Sequence, residues 1–163
     1  MESGSANHPP AWSRYIRRIG RPFLSKAEKA RIVAAIAEQE ARTTSEIHVH
    51  VVAWAGAQDI LVQAQKIFAN LGLEKTDGRN GVLILISHLD HRFAIYGDEA
   101  LHARAGQLLW DRAKEKLLGH FAARRYATGI EDCVREIGLT LAEHFPRAGT
   151  IKSDQLSNEI TEG

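Results

Sequence analysis

The fold is decided by the stretch Gly81-Val-Leu-Ile-Leu-Ile86, the turn Ser87-His-Leu-Asp-His91 and the segment Arg92-Phe-Ala-Ile-Tyr96. The first segment is apolar at every position after Gly81, which is typical of a central strand covered on both faces. The short turn brings the third segment back as an antiparallel neighbour. The stretch therefore predicts two paired strands, the first of which lies inside the sheet.

Another strand is predicted upstream, at Glu46-Ile-His-Val-His-Val-Val52, where apolar and polar residues alternate. A helix separates it from the central strand, and Asp59 can cap that helix while Gly72 can end it. A strand–helix–strand unit is almost always a right-handed parallel crossover. The sheet is therefore expected to be mixed.

Helices are predicted before and after these strands. Ser25-Lys-Ala-Glu28 is a capping box that begins a helix reaching about Arg42. After the strands come a short helix at residues 101–105, a longer one with Gly119 as a candidate interruption, and a last one that stops before Pro146. The expected fold class is α/β, with a twisted mixed sheet of three to four strands sandwiched between helices in an α/β/α arrangement.

A single domain is expected, because 163 residues is an ordinary domain length. Residues 1–22 are predicted to be a flexible N-terminal arm, 23–146 the α/β domain, and 147–163 a flexible C-terminal tail. Part of the arm has apolar residues at helical spacing with four arginines alongside: Arg14, Arg17, Arg18 and Arg21. This basic segment either contacts anionic lipid peripherally or packs its aromatic residues on the domain.

Composition narrows the classes of function. Lys and Arg number 21 and Asp and Glu number 20, so the net charge is +1 and nucleic acid is not expected as the main partner. The single cysteine, Cys133, cannot form an internal disulfide. No apolar run has the length of a membrane span, and the N-terminus lacks the apolar core of a signal peptide, so cytoplasmic localisation is expected.

One edge of the predicted sheet gathers oxygen-bearing side chains. It contains the start of the first strand, the start of the central strand and the end of the returning strand, which bring together Glu46, Asp77, Asn80, Asp98 and Glu99. Such hard oxygen ligands suit Ca²⁺ or Mg²⁺. The alternative is structural, with an ion pair between Arg79 and Glu46 and with Asp98 capping the following helix.

The opposite edge is rich in histidine. It is expected to hold His50, His88, Asp90 and His91, with His48 deeper on the strand. Imidazoles could hold a transition metal there, but no standard zinc spacing is present and solvated histidines are the simpler interpretation.

Catalytic motifs are incomplete. A phosphatase needs a nucleophile or a metal-activated water, and the sequence contains neither an Asp-x-Asp nucleophile nor an arginine that would complete a phosphate loop around Cys133. The thiol of Cys133 lies beside the apolar face of a predicted helix, where it is expected to be inert.

These segments together resemble the TPM domain family. The most specific part is Arg79-Asn-Gly-Val-Leu83, followed after the next strand by Gly97-Asp98. Thr44-Ser-Glu-Ile47, Ile67-Phe-Ala-Asn-Leu-Gly72 and Leu141-Ala-Glu-His-Phe-Pro146 extend the similarity, so that it covers about residues 23–146.

The resemblance implies a twisted sheet between helices and a divalent cation, chiefly Ca²⁺, held at Glu46, Asp77, Asn80 and Asp98. The family is often labelled a phosphatase family. This chain resembles a short bacterial subgroup found beside LemA-type membrane proteins, which implies a LemA-type membrane protein as partner.

Three hypotheses follow from the residues and the resemblance. The favoured one is a non-catalytic interaction module, regulated by Ca²⁺ or Mg²⁺ and associated with a membrane-protein partner. The second is a metal-dependent phosphatase in which Asp98 and Glu46 are metal ligands. The third is peripheral membrane association through residues 12–21. The first is preferred over an enzyme because the motifs that carry phosphatase chemistry are incomplete.

Overall fold

Four helices and four strands make up the part of the chain that the structure describes, residues 22–148 and 160–163 of a computed structural model. In chain order they are α1 (Lys26–Glu40), β1 (Ile47–Val52), α2 (Ile60–Asn70), a 3₁₀ turn (Leu73–Lys75), β2 (Val82–Ser87), β3 (Arg92–Gly97), α3 (Glu99–Ala122), α4 (Tyr126–His144) and β4 (Ile160–Glu162).

The strands form one mixed sheet in the order β3-β2-β1-β4. β1 runs parallel to β2, with Ile47 opposite Val82, and β3 runs antiparallel to β2, with Gly97 opposite Val82. The parallel crossover through α2 and the tight reversal into β3 are the two connections that the sequence predicts. They fix which chain ends meet at each edge of the sheet.

Helices cover both faces of the sheet, so the predicted α/β/α layering is confirmed. On one face, α1, α3 and α4 pack on the odd positions of β1 and the even positions of β2, among them Val49 and Ile84. On the other face, α2 packs Phe68 and its neighbours on Leu83 and Leu85. β2 is buried along its whole length, as its uniformly apolar sequence predicts.

Local signals fix where the helices begin and break. The Ser25 hydroxyl accepts from the Glu28 N–H while the Glu28 carboxylate accepts from the Ser25 N–H, which completes the predicted capping box. Inside α3, Gly106 has φ 69° and ψ −174°, so the helix is interrupted just after residue 105, as expected. The helix continues through Gly119, the candidate interruption, because that glycine keeps helical backbone angles.

The C-terminal end differs from the expectation of a flexible tail. Residues Ile160–Glu162 form β4 and extend the sheet beyond β1, with Val49 opposite Ile160. This pairing joins segments far apart in sequence, and a three-residue strand is too short to show a periodicity of its own. Residues 149–159 lie outside the described residues.

The predicted basic segment with its four arginines also lies outside the described residues, so its lipid contact remains a prediction. Among the helices of the described chain, none combines the length and the apolar character that crossing a membrane requires.

Candidate functional site at the sheet rim

The start of β1, the start of β2 and the end of β3 meet at one edge of the sheet, as the predicted strand directions require. The Val82 N–H donates to the Glu46 carbonyl at 2.9 Å, and the Asp98 N–H donates to the Gly81 carbonyl at 2.9 Å. Glu46, Gly81 and Asp98 are therefore lateral neighbours across β1, β2 and β3. We call this edge the rim and define it by the five predicted residues Glu46, Asp77, Asn80, Asp98 and Glu99.

Gly81 divides the rim into two halves. Glu46 and Asp98 are separated by two strand spacings, about 10 Å between Cα atoms. The space above Gly81 is filled, because a Cβ there would lie 3.0 Å from the Leu73 carbonyl oxygen and 3.4 Å from Phe68 Cζ. Within the described residues, no three Asp, Glu, His or Cys side chains lie close enough to hold one metal ion together. Any ion at the rim therefore needs oxygen donors other than clustered carboxylates.

The half around Asp98 is held by an ion pair. Arg79 Nε lies 2.9 Å from Asp98 Oδ2 and Arg79 Nη2 lies 3.1 Å from Asp98 Oδ1, while Oδ1 also accepts from the Glu99 N–H at 2.8 Å. Asp98 thus caps α3, as expected. The alternative, structural interpretation of the rim paired Arg79 with Glu46, whereas in the structure Arg79 pairs with Asp98. Arg79 takes a left-handed φ of 50° and its carbonyl accepts from the Ala100 N–H, which anchors it to the first turn of α3.

We expect Asp98→Ala to lower the free energy of unfolding by about 1–2 kcal/mol, because it removes both the cap and the ion pair. The Arg79 side chain is 53% exposed, so most of this loss comes from the cap. Asp98→Asn keeps the cap and loses only the ion pair, so it should lose less than half as much. Urea unfolding measures both changes; equal losses in the two variants would contradict the capping role, and Glu99→Gln serves as the exposed control.

The half around Asn80 contains a buried polar atom that has no hydrogen-bond partner among the described residues. The Asn80 side chain is 0% exposed, and its Nδ2 donates to Thr44 Oγ1 at 3.2 Å. Its Oδ1 is buried and accepts no hydrogen bond within the described chain. Glu46 is buried nearby at the start of β1, and Asp77 is exposed in the preceding loop. Leaving a buried acceptor unsatisfied costs about 1–3 kcal/mol, so this oxygen is a natural position for a ligand.

Gly78 shapes the same loop around Asn80. A Cβ at position 78 would lie 2.8 Å from Asn80 Nδ2, closer than real side chains pack. Only glycine lets the loop backbone approach the amide this closely. The loop therefore holds the Asn80 amide between Gly78 and Thr44.

The histidine edge is engaged in contacts among the protein's own residues. His48 Nε2 lies 3.0 Å from Thr161 Oγ1 on β4, and His50 Nδ1 contacts the same hydroxyl. The His88 ring stacks on Phe23 with centroids 4.9 Å apart. Asp90 forms an ion pair with Arg92. Burial, together with the neighbouring His50, lowers the pKa of His48 to about 4, and burial also lowers the pKa of His50.

Cys133 is buried in α4. Burial, with a smaller contribution from the charge of Glu136, raises the pKa of this thiol far above its usual value. Because the thiolate is the reactive form, this burial disfavours a nucleophilic role for Cys133.

One surface feature has no counterpart in the sequence predictions. A groove of about 970 Å³ runs along β3 between the start of α2 and the second part of α3. Leu118, an apolar residue of α3, lines this groove and is 49% exposed. In the sequence, the groove-lining residues of α3 can be recognised only by their helical spacing, and that spacing does not show whether this face of the helix is turned to the core or to solvent.

Comparison with known proteins identifies one family and several solved structures. A family model described as the TPM domain matches residues 21–139. The solution structure of the BA42 protein from the psychrophilic bacterium Bizionia argentinensis is similar to this chain, with 31% sequence identity and a TM-score of 0.82. That alignment covers 88% of this chain and 98% of the BA42 chain.

Two further solution structures share the fold at lower identity. The N-terminal domain of a protein from P. gingivalis is 18% identical with a TM-score of 0.64, over 77% of this chain and 83% of that one. The N-terminal domain of the cg2496 protein from Corynebacterium glutamicum is 14% identical with a TM-score of 0.62, over 82% of this chain and 84% of that one. No curated protein matches the chain.

Proposed function

Since this chain belongs to the TPM domain family, we propose that it is a non-catalytic interaction module regulated by a divalent cation, Ca²⁺ or Mg²⁺, at the rim. Its partner in this proposal is a membrane protein, of the LemA type by resemblance. The observation that carries the cation site is the buried Oδ1 of Asn80, which accepts no hydrogen bond from any residue that the structure describes. A cation is a ligand that a buried amide oxygen is suited to accept when Asp77 and Glu46 lie on neighbouring segments.

The proposed ion lies in the half of the rim around Asn80. Its ligands are Asn80 Oδ1 together with carboxylate oxygens of Asp77 and Glu46, completed by water, since Ca²⁺ and Mg²⁺ both prefer such oxygens. Asp98 and Glu99, in the other half, add negative charge without touching the ion. Charges about 10 Å apart still interact at moderate ionic strength.

Cation binding would act on the loop between the 3₁₀ turn and β2. Asp77 is exposed there, whereas Asn80 is fully buried, so an ion shared between them ties the exposed part of the loop to its buried end. Arg79, between them, holds the N-terminus of α3 through Asp98. The loop thus connects the proposed ion to the first turn of α3.

The arrangement favours binding over phosphate hydrolysis. The phosphatase hypothesis uses Asp98 as a metal ligand, but both Asp98 oxygens already accept hydrogen bonds from Arg79, and one also accepts from Glu99. A metal that activates water must be held by protein side chains that are free to bind it, with one coordination position left open for the water. The buried Cys133 supplies no alternative nucleophile.

We expect amide NMR shifts in residues 44–46 and 76–81 to change saturably when the full chain is titrated with millimolar Ca²⁺ or Mg²⁺. Asn80→Ala, which removes the Oδ1 ligand, should weaken the apparent affinity by about tenfold or more. Thr44→Val is the matched control, because it breaks the hydrogen bond to Asn80 but leaves Oδ1 in place, and it should retain binding.

Two outcomes would contradict this proposal. Absence of any shift at millimolar metal would remove the cation site, and equal affinities for the Asn80→Ala variant and the wild type would remove Asn80 as a ligand. Turnover of p-nitrophenyl phosphate with any divalent metal, lost in Asp98→Ala, would instead establish the phosphatase.

A further inference from the structure

The groove along β3 exposes the edge of the sheet. β3 is the terminal strand in the order β3-β2-β1-β4, and its outer edge lies at the floor of the groove. The N-terminal residues of α2, including Leu61, form one wall, and α3 forms the other. A chain that entered this groove would meet backbone at the bottom and side chains on both sides.

The backbone of β3 presents hydrogen-bonding groups to the groove at alternate residues. The Asp98 N–H points inward to Gly81, and the Val82 N–H points to β1. In an antiparallel pair these directions alternate, so the N–H and C=O groups of Phe93, Ile95 and Gly97 point away from β2. An edge with this row of groups is a template for a further strand.

The wall formed by α3 is a continuous stripe. The residues that line the groove recur at i, i+3, i+4, i+7 and i+11, which places them on one helical face: Gln107, Trp110, Asp111, Lys114 and Leu118. The break at Gly106 turns this part of α3 back along β3, so that Trp110 lies over Gly97 and Phe121 lies against Phe93. The stripe therefore follows the whole length of the strand.

Apolar side chains are exposed to solvent on both walls of the groove. Leu61 and Leu118 are among the exposed large apolar residues of the described chain, and they lie on opposite sides of the groove. At the other end, the Trp110 indole donates its Nε1–H to His102 Nδ1 at 3.1 Å, which fixes the ring beside the strand. Alternate side chains of an added strand would contact these two walls in turn.

Charge is unevenly distributed along the groove. Glu99 lies at the end where β3 passes into α3, and Asp111 lies next to Trp110 at the same end. The arginines that border the groove already form ion pairs, Arg79 with Asp98 and Arg92 with Asp90. Lys114 lies one turn beyond Asp111 along α3, so the acidic charge is confined to the end near Glu99, which complements a basic residue.

We propose that this groove binds an extended peptide segment of a partner protein, which adds to the sheet beside β3. The segment has apolar residues at alternate positions and Lys or Arg at the end near Glu99. This inference rests on the proposed function and names the binding surface of that interaction module. Strand addition supplies affinity through main-chain hydrogen bonds and specificity through alternate side chains.

The walls of the groove favour a peptide over a second copy of the chain. β3 lies at the floor between α2 and α3, so a second copy could pair its β3 here only by bringing its own α2 and α3 against these walls. A single extended segment has no such walls and reaches the strand.

The test selects phage-displayed random peptides, long enough to span the six residues of β3, on the immobilised full chain. We expect enriched peptides with alternating apolar residues and a terminal Lys or Arg. Leu118→Asp should weaken binding of a synthetic selected peptide by about tenfold or more. Leu139→Asp is the matched control, because Leu139 is another exposed helical leucine outside the groove and should change the affinity by no more than about twofold.

The backbone role is tested with two N-methylated forms of the same peptide. Methylation of the N–H groups that face β3 should abolish binding, whereas methylation of the alternate N–H groups should not. Equal effects of the two forms would overturn strand addition. Absence of enrichment, equal binding by Leu118→Asp, or a dimer in light scattering that Leu118→Asp dissociates would overturn the proposal. Peptide binding should shift the amide signals of β3 and α3, and cation binding those of residues 44–46 and 76–81, so either proposal can fail without the other.

Discussion

Ile84→Ala is expected to lower the free energy of unfolding by about 3–4 kcal/mol. Ile84 is 0% exposed in the middle of β2, paired with Val49 on one side and Ile95 on the other. Its side chain packs in the core between the sheet and helices α1, α3 and α4. Truncation there removes buried methyl groups and leaves a cavity that two neighbouring strands prevent from collapsing. Urea unfolding followed by far-UV circular dichroism measures the loss.

Two further variants test whether the expected loss depends on the burial of the truncated side chain. Ile84→Val removes a single methylene and should cost about 1 kcal/mol. Leu118→Ala makes a similar truncation at a half-exposed groove position and should change stability by less than about 0.5 kcal/mol. A comparable loss for Ile84→Ala and Leu118→Ala would contradict the assignment of β2 as the centre of the core.

The sheet could be predicted because its information is local. The apolar run of β2, the alternation of β1 and the short turn into β3 each specify one strand or one connection, and the handedness of the crossover then fixes their directions. Once the directions are known, Glu46 and Asp98 must end at the same edge. The rim is thus a consequence of topology, and the observed register agrees with it.

Side-chain partners could not be predicted in the same way. Arg79 can reach either Glu46 or Asp98 as far as the sequence is concerned, and the choice depends on its left-handed backbone and the hydrogen bond from Ala100. The filled space above Gly81 depends on where the 3₁₀ turn places Leu73. Both are outcomes of tertiary packing, which sequence patterns do not encode residue by residue.

At the histidine edge, the pairing of β4 with β1 could not be predicted from the sequence. The sequence indicates that His48 and His50 share the more polar face of β1, which is how they lie. It does not indicate that β4 places Thr161 between them, because the three residues of β4 carry no pattern of their own. The burial of His48 follows from contacts that become visible only in the folded chain.

That burial makes His48 a source of pH-dependent stability. Its side chain is 6% exposed, and its pKa falls from 6.5 to about 4, first because burial disfavours the charged ring and second because His50 lies beside it. The unfolded chain, in which the pKa is near its ordinary value, therefore binds more protons than the folded chain between about pH 6.5 and 4. Stability must decrease as the pH falls through this window, and the contribution of His48 to this dependence ends below about pH 4.

We expect the free energy of unfolding to fall by about 2 kcal/mol between about pH 7 and pH 5 through His48, with a smaller part from His50. His48→Gln removes the titrating group and should flatten the dependence by that amount in urea unfolding measured across the range. His102→Gln, at an exposed position on α3, is the control and should keep the wild-type slope. Identical slopes for the wild type and His48→Gln would show that His48 is not held neutral in the folded protein. A slope of the opposite sign would mean that folding favours the protonated ring, against the burial that β1 and β4 impose on it.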